Sequence, residues 1–322
     1  MSMDSGKDAP DAAMKSAAHG IEALKALVRE RSRRGALPLA ERRAVMDANT
    51  EVFPVPAGAA VEETGLGGLA AEWAWPLDAQ DTGALPVLLY FHGGGYVIGS
   101  PRSHRHLTSR LALAAHARVL SVDYALAPEA PFPAAVEDGL KAYLWLLDQG
   151  HAPQRIALGG DSAGGGLAVA VLLAARARGL PMPAGAALIS PWTDLTCEAR
   201  SYETQAALDP MITQPAIKEM ASTYLAGADP RDPLASPLFA GLAGLPPLFI
   251  QVGSDEVLLD DARMLERRAR EAGVDARLEI WDGMIHVWHA FYQILPEGEE
   301  AIERLGIHLR ECWKFAAREL TP

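Results

Sequence analysis

The sequence predicts an α/β fold in which a mostly parallel sheet is covered by helices on both faces. Three observations predict it. Apolar runs of strand length recur after residue 85, helical patterns lie between most of them, and the two densest glycine clusters each follow such a run directly. Runs that are apolar on both alternations fit strands buried on both sides, as a parallel sheet requires.

The elements follow in order. Residues 1 to about 15 read as a disordered tail. Two amphipathic patterns, Gly20–Arg34 and Pro38–Ala48, read as helices, and Arg29–Arg34 with Arg42 and Arg43 is expected to form their solvated face. From Val52 to Trp75, β-like pieces alternate with Gly/Pro turns, which predicts an antiparallel pair. Six buried strands are then expected at Val87–Phe91, Arg118–Asp123, Arg155–Gly159, Ala186–Ser190, Leu248–Val252 and Arg277–Trp281. Between Pro191 and Leu245 the spacing is too long for a simple crossover. Asp209-Pro210, Asp229-Pro230 and Asp232-Pro233 punctuate it, so it is expected to carry a helix or two over the sheet edge as a lid.

Composition narrows the class. A chain of 322 residues, 49% hydrophobic and 22% charged, can bury the core of one large domain or two small ones. A formal net charge of -12 argues against a nucleic-acid partner or stable membrane anchoring, since both need clustered Lys and Arg. Cys197 and Cys312 have neither disulfide-framework nor zinc-site spacing and read as buried or half-buried thiols; no metal is expected. The first residues lack a basic start and apolar stretch, so a cytoplasmic location is expected.

The chemistry is concentrated in Gly160-Asp161-Ser162-Ala163-Gly164, which lies between a predicted strand and a predicted helix. In such a G-x-S-x-G turn the serine sits at the tip in a strained backbone, and small flanking residues leave room for it. The plainer reading is a Gly/Ser turn capping an ordinary helix. Other parts of the chain favour a nucleophile, because a serine needs a base, a carboxylate to orient the base, and donors for an oxyanion. His286 follows one strand, Asp255 another, and the order Ser162, Asp255, His286 is that of α/β hydrolases. Glu256, Asp260 and Asp261 are rivals to Asp255, which is preferred because it comes first after its strand; His289 is the rival to His286. His104, His106, His116, His151 and His308 are expected to be surface or helix residues without chemistry. Oxyanion donors are expected from His92-Gly93-Gly94-Gly95-Tyr96, where successive glycines leave backbone N–H groups open. Neither glycine cluster contains G-x-G-x-x-G or Gly-Lys-Ser/Thr, which weighs against phosphate or dinucleotide binding.

With these pieces in place the chain resembles the bacterial hormone-sensitive-lipase-like carboxylesterases. The matching motifs are His92–Gly95, Asp123-Tyr124-Ala125-Leu126-Ala127-Pro128-Glu129, Gly160–Gly165, Ser190-Pro191-Trp192, Asp209-Pro210, Ser236-Pro237-Leu238 and Val252–Leu258, spread from about residue 85 to the end. Ala125 departs from the pattern, which commonly has Arg there. The resemblance implies an α/β-hydrolase fold with N-terminal cap helices at 1–50, a catalytic domain at 51–198 and 232–322, and a cap insertion at 199–231. It implies Ser162 as nucleophile, His286 as base, Asp255 as its orienter, and an oxyanion hole from the N–H groups of Gly94, Gly95 and Ala163, with His92 and Gly93 shaping the loop. It further implies hydrolysis of short- to medium-chain acyl esters, a small-molecule ester partner, no cofactor, and by analogy a homodimer through the exposed sheet edge. Tyr96, Met211, Ile212, Tyr224, Leu225, Val287 and Trp288 are expected to line the acyl and alcohol pockets. A lactone, carbamate or amide substrate would suit the same machinery. A noncatalytic receptor on this fold would have lost the histidine that is present here.

Overall fold

The computed structural model describes residues 20–32 and 37–318. The tail expected at 1–15, and Arg33 and Arg34, lie outside them. Three helices, α1 (Ile21–Ser32), α2 (Leu39–Asp47) and α3 (Asn49–Val52), precede a hairpin of β1 (Ala59–Leu66) and β2 (Leu69–Pro76). Alternating units follow: β3 (Val87–Phe91), α4 (Pro101–Ala115), β4 (Arg118–Val122), α5 (Ala134–Asp148), β5 (Ile156–Asp161), α6 (Ala163–Ala177) and β6 (Gly185–Ile189). After β6 the long connection carries α7 (Ser201–Thr204) and α8 (Gln214–Leu225). The chain then completes the sheet with β7 (Leu248–Gly253), α9 (Leu259–Glu271), β8 (Ala276–Trp281) and α10 (Pro296–Arg318).

The eight strands form one sheet in the order β1-β2-β4-β3-β5-β6-β7-β8. The β1–β2 and β2–β4 pairs are antiparallel, and every pair from β4 through β8 is parallel. Every strand expected from an apolar run is present.

The sheet separates two layers because side chains alternate along each strand. Val87, Leu89 and Phe91 of β3 face the core that includes Val136 and Leu140 of α5 and most of α6. Leu88 and Tyr90 face the other core, with Leu107 and Leu111 of α4 and Ile302, Leu305 and Leu309 of α10. All five residues of β3 are buried, so its continuous apolar run is what a central strand needs. Helix α6 is buried over Ala163–Ala175 and is apolar all round for the same reason. Helix α4 starts in a capping box, with Ser100 and Ser103 bonding each other's backbone N–H and Pro101 at its first position. The carboxyl ends of β3, β5, β7 and β8 therefore open towards one side, where a doubly covered parallel sheet places its ligands.

Candidate active site

Ser162 follows β5 with φ 53° and ψ −121°, a left-handed φ that costs a residue with a β-carbon. Its N–H is bonded to Ile189 O at 2.9 Å, and its carbonyl accepts from Trp192 N at 2.9 Å and from Gly166 N at 3.2 Å, so the backbone on both sides fixes the turn. The flanking glycines are required by contact. A β-carbon on Gly160 would lie 2.4 Å from the Gly164 carbonyl, and one on Gly164 would lie 1.9 Å from Phe91 O. The small residues of the motif thus let β5, α6 and the end of β3 meet behind the serine, whose side chain reaches a cavity of about 460 Å³.

The glycine loop faces the same cavity through Gly94 and Gly95. Gly94 has φ 118°, and a β-carbon there would sit 2.1 Å from Ile98 O. Among the described residues no protein acceptor is bonded to the N–H of Gly94, Gly95 or Ala163. The N–H of Gly93 is different, because it donates to Asp161 Oδ1 at 3.0 Å. His92 is fully buried beneath the loop, with Nδ1 2.8 Å from Gly93 O and its ring stacked on Tyr124 at 4.2 Å. Burial, with the neighbouring charge of His104, lowers its pKa to about 3, so His92 is a neutral scaffold.

His286 lines the cavity opposite. Its carboxylate partner corrects the sequence expectation: Nδ1 lies 2.8 Å from Glu256 Oε2, not against Asp255. Glu256 is fully buried, and its other oxygen accepts from Ser190 Oγ at 2.7 Å and from Gly253 N at 2.5 Å. Burial works against a charge on His286, but the bond and field of Glu256, with the fields of Asp209 and Asp161, raise its pKa above the ordinary histidine value. Asp255 turns the other way and pairs with Lys25 of α1 at 2.8 Å. Being first after the strand was the wrong criterion, because the chain bends back after β7 and carries the second carboxylate inward. The rival His289 is buried against Gln251, with Nε2 2.8 Å from its side-chain carbonyl, and burial lowers its pKa to about 3.

Asp161, beside Ser162, is the hub of a second buried network. It accepts from Tyr90 OH at 2.7 Å and lies 3.3 Å from His104 Nε2. Burial would raise its pKa, yet the charge of His104 and these bonds bring it down to about 2. His104 and His106 sit on α4 as helix residues, but they are buried and line the cavity instead of facing solvent. His308 is also buried.

Of the residues expected to line pockets, Met211, Ile212 and Val287 do so. Tyr96, Tyr224, Leu225 and Trp288 do not; they are buried in the core, with Tyr96 stacked on Tyr224 at 3.9 Å. Four large, nearly apolar side chains are better satisfied by packing than by an open cavity. The sequence reading missed Leu24, Leu27 and Val28 of α1, Arg42 and Met46 of α2, and Phe53, Met220 and Phe291. The i, i+3, i+4 spacing of Leu24, Leu27 and Val28 marks an apolar helix face, but nothing local says what that face covers.

The covering segments are tied down by side chains. Arg43 pairs with both Glu129 oxygens at 2.8 Å and donates to Val97 O at 2.9 Å and Ala127 O at 3.0 Å, so it is a tether and not part of a solvated face. Arg29 donates to Leu208 O at 3.2 Å. Asp209 accepts from the N–H groups of Met211, Ile212 and Val257, joining the connection after β6 to the turn that holds Glu256. Cys197 and Cys312 are free and buried. Among the described residues there is no cluster of three metal-type ligands and no helix long and apolar enough to cross a membrane.

Comparison with known proteins agrees with this architecture. Residues 88–290 match the family described as having the alpha/beta hydrolase fold. An acetyl-hydrolase of Streptomyces hygroscopicus is 52% identical over 272 residues, covering 84% of this chain and 89% of that protein. A crystal structure of EstE5 soaked with p-nitrophenyl butyrate superposes with a TM-score of 0.87 at 50% identity, covering 91% of this chain and 98% of the other. An esterase of the bacterial hormone-sensitive lipase family superposes with a TM-score of 0.87 at 48% identity and the same coverage. With the match spanning most of the sheet and both relatives and structures aligned over nearly their whole lengths, the chain belongs to the α/β-hydrolase family, among its bacterial hormone-sensitive-lipase-like carboxylesterases.

Proposed function

We propose that the protein is a serine carboxylesterase that hydrolyses short- to medium-chain acyl esters through an acyl-enzyme on Ser162. The observation that carries this reading is that Ser162, His286, Gly94 and Gly95 all face one largely apolar cavity while Glu256 holds the far nitrogen of His286. His286 takes the proton of Ser162 as the hydroxyl attacks the ester carbonyl. The N–H groups of Gly94, Gly95 and Ala163 receive the oxyanion; Gly93 does not, since Asp161 already occupies its N–H. His286 then protonates the leaving alcohol, and a water repeats both transfers on the acyl-enzyme. Glu256 keeps the Nδ1 proton in place and favours the imidazolium that forms at each step. The relative studied with p-nitrophenyl butyrate supports a short acyl group, and Leu24, Leu27, Met46 and Met220 offer apolar surface for a longer one.

The test is release of p-nitrophenol from acetate, butyrate, octanoate and palmitate esters by the wild type and Ser162→Ala in parallel. Activity on the shorter chains should fall about 10⁴- to 10⁶-fold in the variant. Equal activity in both proteins would remove Ser162 from the mechanism, and an inert wild type would favour an amide or lactone substrate.

A further inference from the structure

We propose that Ser190 is a positioning residue for this reaction: its hydroxyl bridges Glu256 and the backbone beside His286, fixing the carboxylate and the imidazole relative to each other. The proposal rests on the roles given above to Ser162, His286 and Glu256. Ser190 follows β6, is fully buried, and lies outside the cavity lining, so it acts through other groups. Its Oγ donates to Glu256 Oε1 at 2.7 Å and accepts from Val287 N at 3.2 Å. One hydroxyl supplies both bonds because it is at once donor and acceptor.

The consequence for Glu256 is geometric. The terminal torsion of a glutamate side chain is soft, so a single hydrogen bond to His286 would leave the carboxylate plane free to swing. Ser190 and Gly253 N together hold Oε1, which leaves Oε2 aimed at His286 Nδ1. On the other side, the bond from Val287 N anchors the residue directly after His286, at a point where Val287 itself has φ 50°. Ser190 is also left-handed, with φ 44°, and its own N–H is held by Gln251 O at 2.7 Å. Glycine would relax that backbone but could bridge nothing.

Ser190→Ala and Ser190→Gly separate the two features, since both remove the hydroxyl and only glycine also relieves the left-handed backbone. With p-nitrophenyl butyrate between pH 5 and 9, kcat should fall about ten- to a hundred-fold in both variants, with KM nearly unchanged. The acid limb of the profile should move to lower pH as Glu256 swings off His286. Asp209 and Asp161, which also face His286, and His289 beside it are retained in both variants. Independently of turnover, the low-field proton resonance of His286 Nδ1–H should be present in the wild type and lost or shifted in both variants. A wild-type profile in either variant overturns the proposal. So does a fall in kcat with the acid limb and resonance unmoved, or a loss in the alanine variant that glycine restores. Activity surviving in Ser162→Ala, measured alongside, would break the underlying reading of the nucleophile and is distinguishable from each of these results.

Discussion

The two walls of the cavity are built by different means. On the sheet side, Ser162, Gly94 and Gly95 are placed by backbone: strand ends, left-handed turns and glycines whose missing β-carbons let segments touch; His286 follows a strand and is held by the buried Glu256. On the covering side, Leu24, Leu27, Val28, Met46 and Met211 are placed by side-chain ties between segments far apart in sequence, including Lys25 to Asp255 and Arg43 to Glu129. A wall fixed by backbone leaves its atoms little freedom, which the proposed proton transfers require. A wall fixed by ion pairs stands apart from those backbone turns, and in the proposed reaction it bounds the acyl group.

Two adjacent carboxylates belong to different walls: Glu256 is bonded to His286 on the sheet side and Asp255 to Lys25 of the cover. Glu256→Gln should reduce kcat about 10⁴-fold, the scale seen when the orienting carboxylate of a triad is neutralised. On the proposed mechanism the wild-type kcat/KM should rise with pH through an acid limb above the ordinary histidine value, since a general base works when neutral and the pKa of His286 is raised. Glutamine should bring that limb down. If Asp255→Asn were as damaging as Glu256→Gln, the assignment of one carboxylate to each wall would fail.

This pair of residues also shows how far the sequence could be read. The strands, the turn at Ser162 and the glycine loop were legible because each is local: an apolar run, a glycine pattern, a residue directly after a strand. The choice between Asp255 and Glu256 was not, since it depends on which way the chain bends after β7 and on contacts with Ser190 and Lys25, both distant in sequence. Tyr96, Tyr224, Leu225 and Trp288 were misplaced for a related reason. Apolar residues near a site look alike in sequence whether they face a cavity or pack against each other, and only the three-dimensional neighbours decide.

A second, smaller effect tests the buried histidines. Burial holds His92 and His289 at a pKa of about 3 and His106 and His308 at about 4, with 6.5 the ordinary value. A group lowered in the folded state binds its proton preferentially when unfolded, so the stabilisation is complete above pH 6.5 and is lost as the pH falls towards 4. Each such histidine contributes up to about 1.4 kcal/mol per pH unit in that window. His104 and His286, raised in the folded state, act with opposite sign and only as the pH rises above 6.5. Thermal unfolding followed from pH 8 to pH 4 should therefore show a steady loss of stability beginning near 6.5. His308→Gln, which leaves the cavity intact, should flatten that slope; an unchanged slope would mean that the histidine is already solvated.

The smallest effect is expected at the tie that joins the walls. Lys25 is almost fully buried on α1 and reaches Asp255, one residue before Glu256, while Leu24, Leu27 and Val28 of the same helix line the cavity. Removing Lys25 leaves the Asp255 charge in a partly buried site, which costs on the order of 1–3 kcal/mol, whereas removing Asp255 leaves Lys25 paired with Glu22 and costs less. Lys25→Met with Asp255→Asn leaves only the solvent-exposed Glu22 without its partner and should recover part of that loss. If the tie belongs to the cover, Lys25→Met raises KM several-fold for octanoate esters and leaves kcat and the acid limb for acetate where they were. If the tie instead transmits to the acid turn, kcat for acetate falls in Lys25→Met and Asp255→Asn alike, and the double variant does not restore it. The first result would make α1 a specificity element that can be exchanged independently of the catalytic centre; the second would mean that the covering helix and the backbone-fixed wall are one mechanical unit.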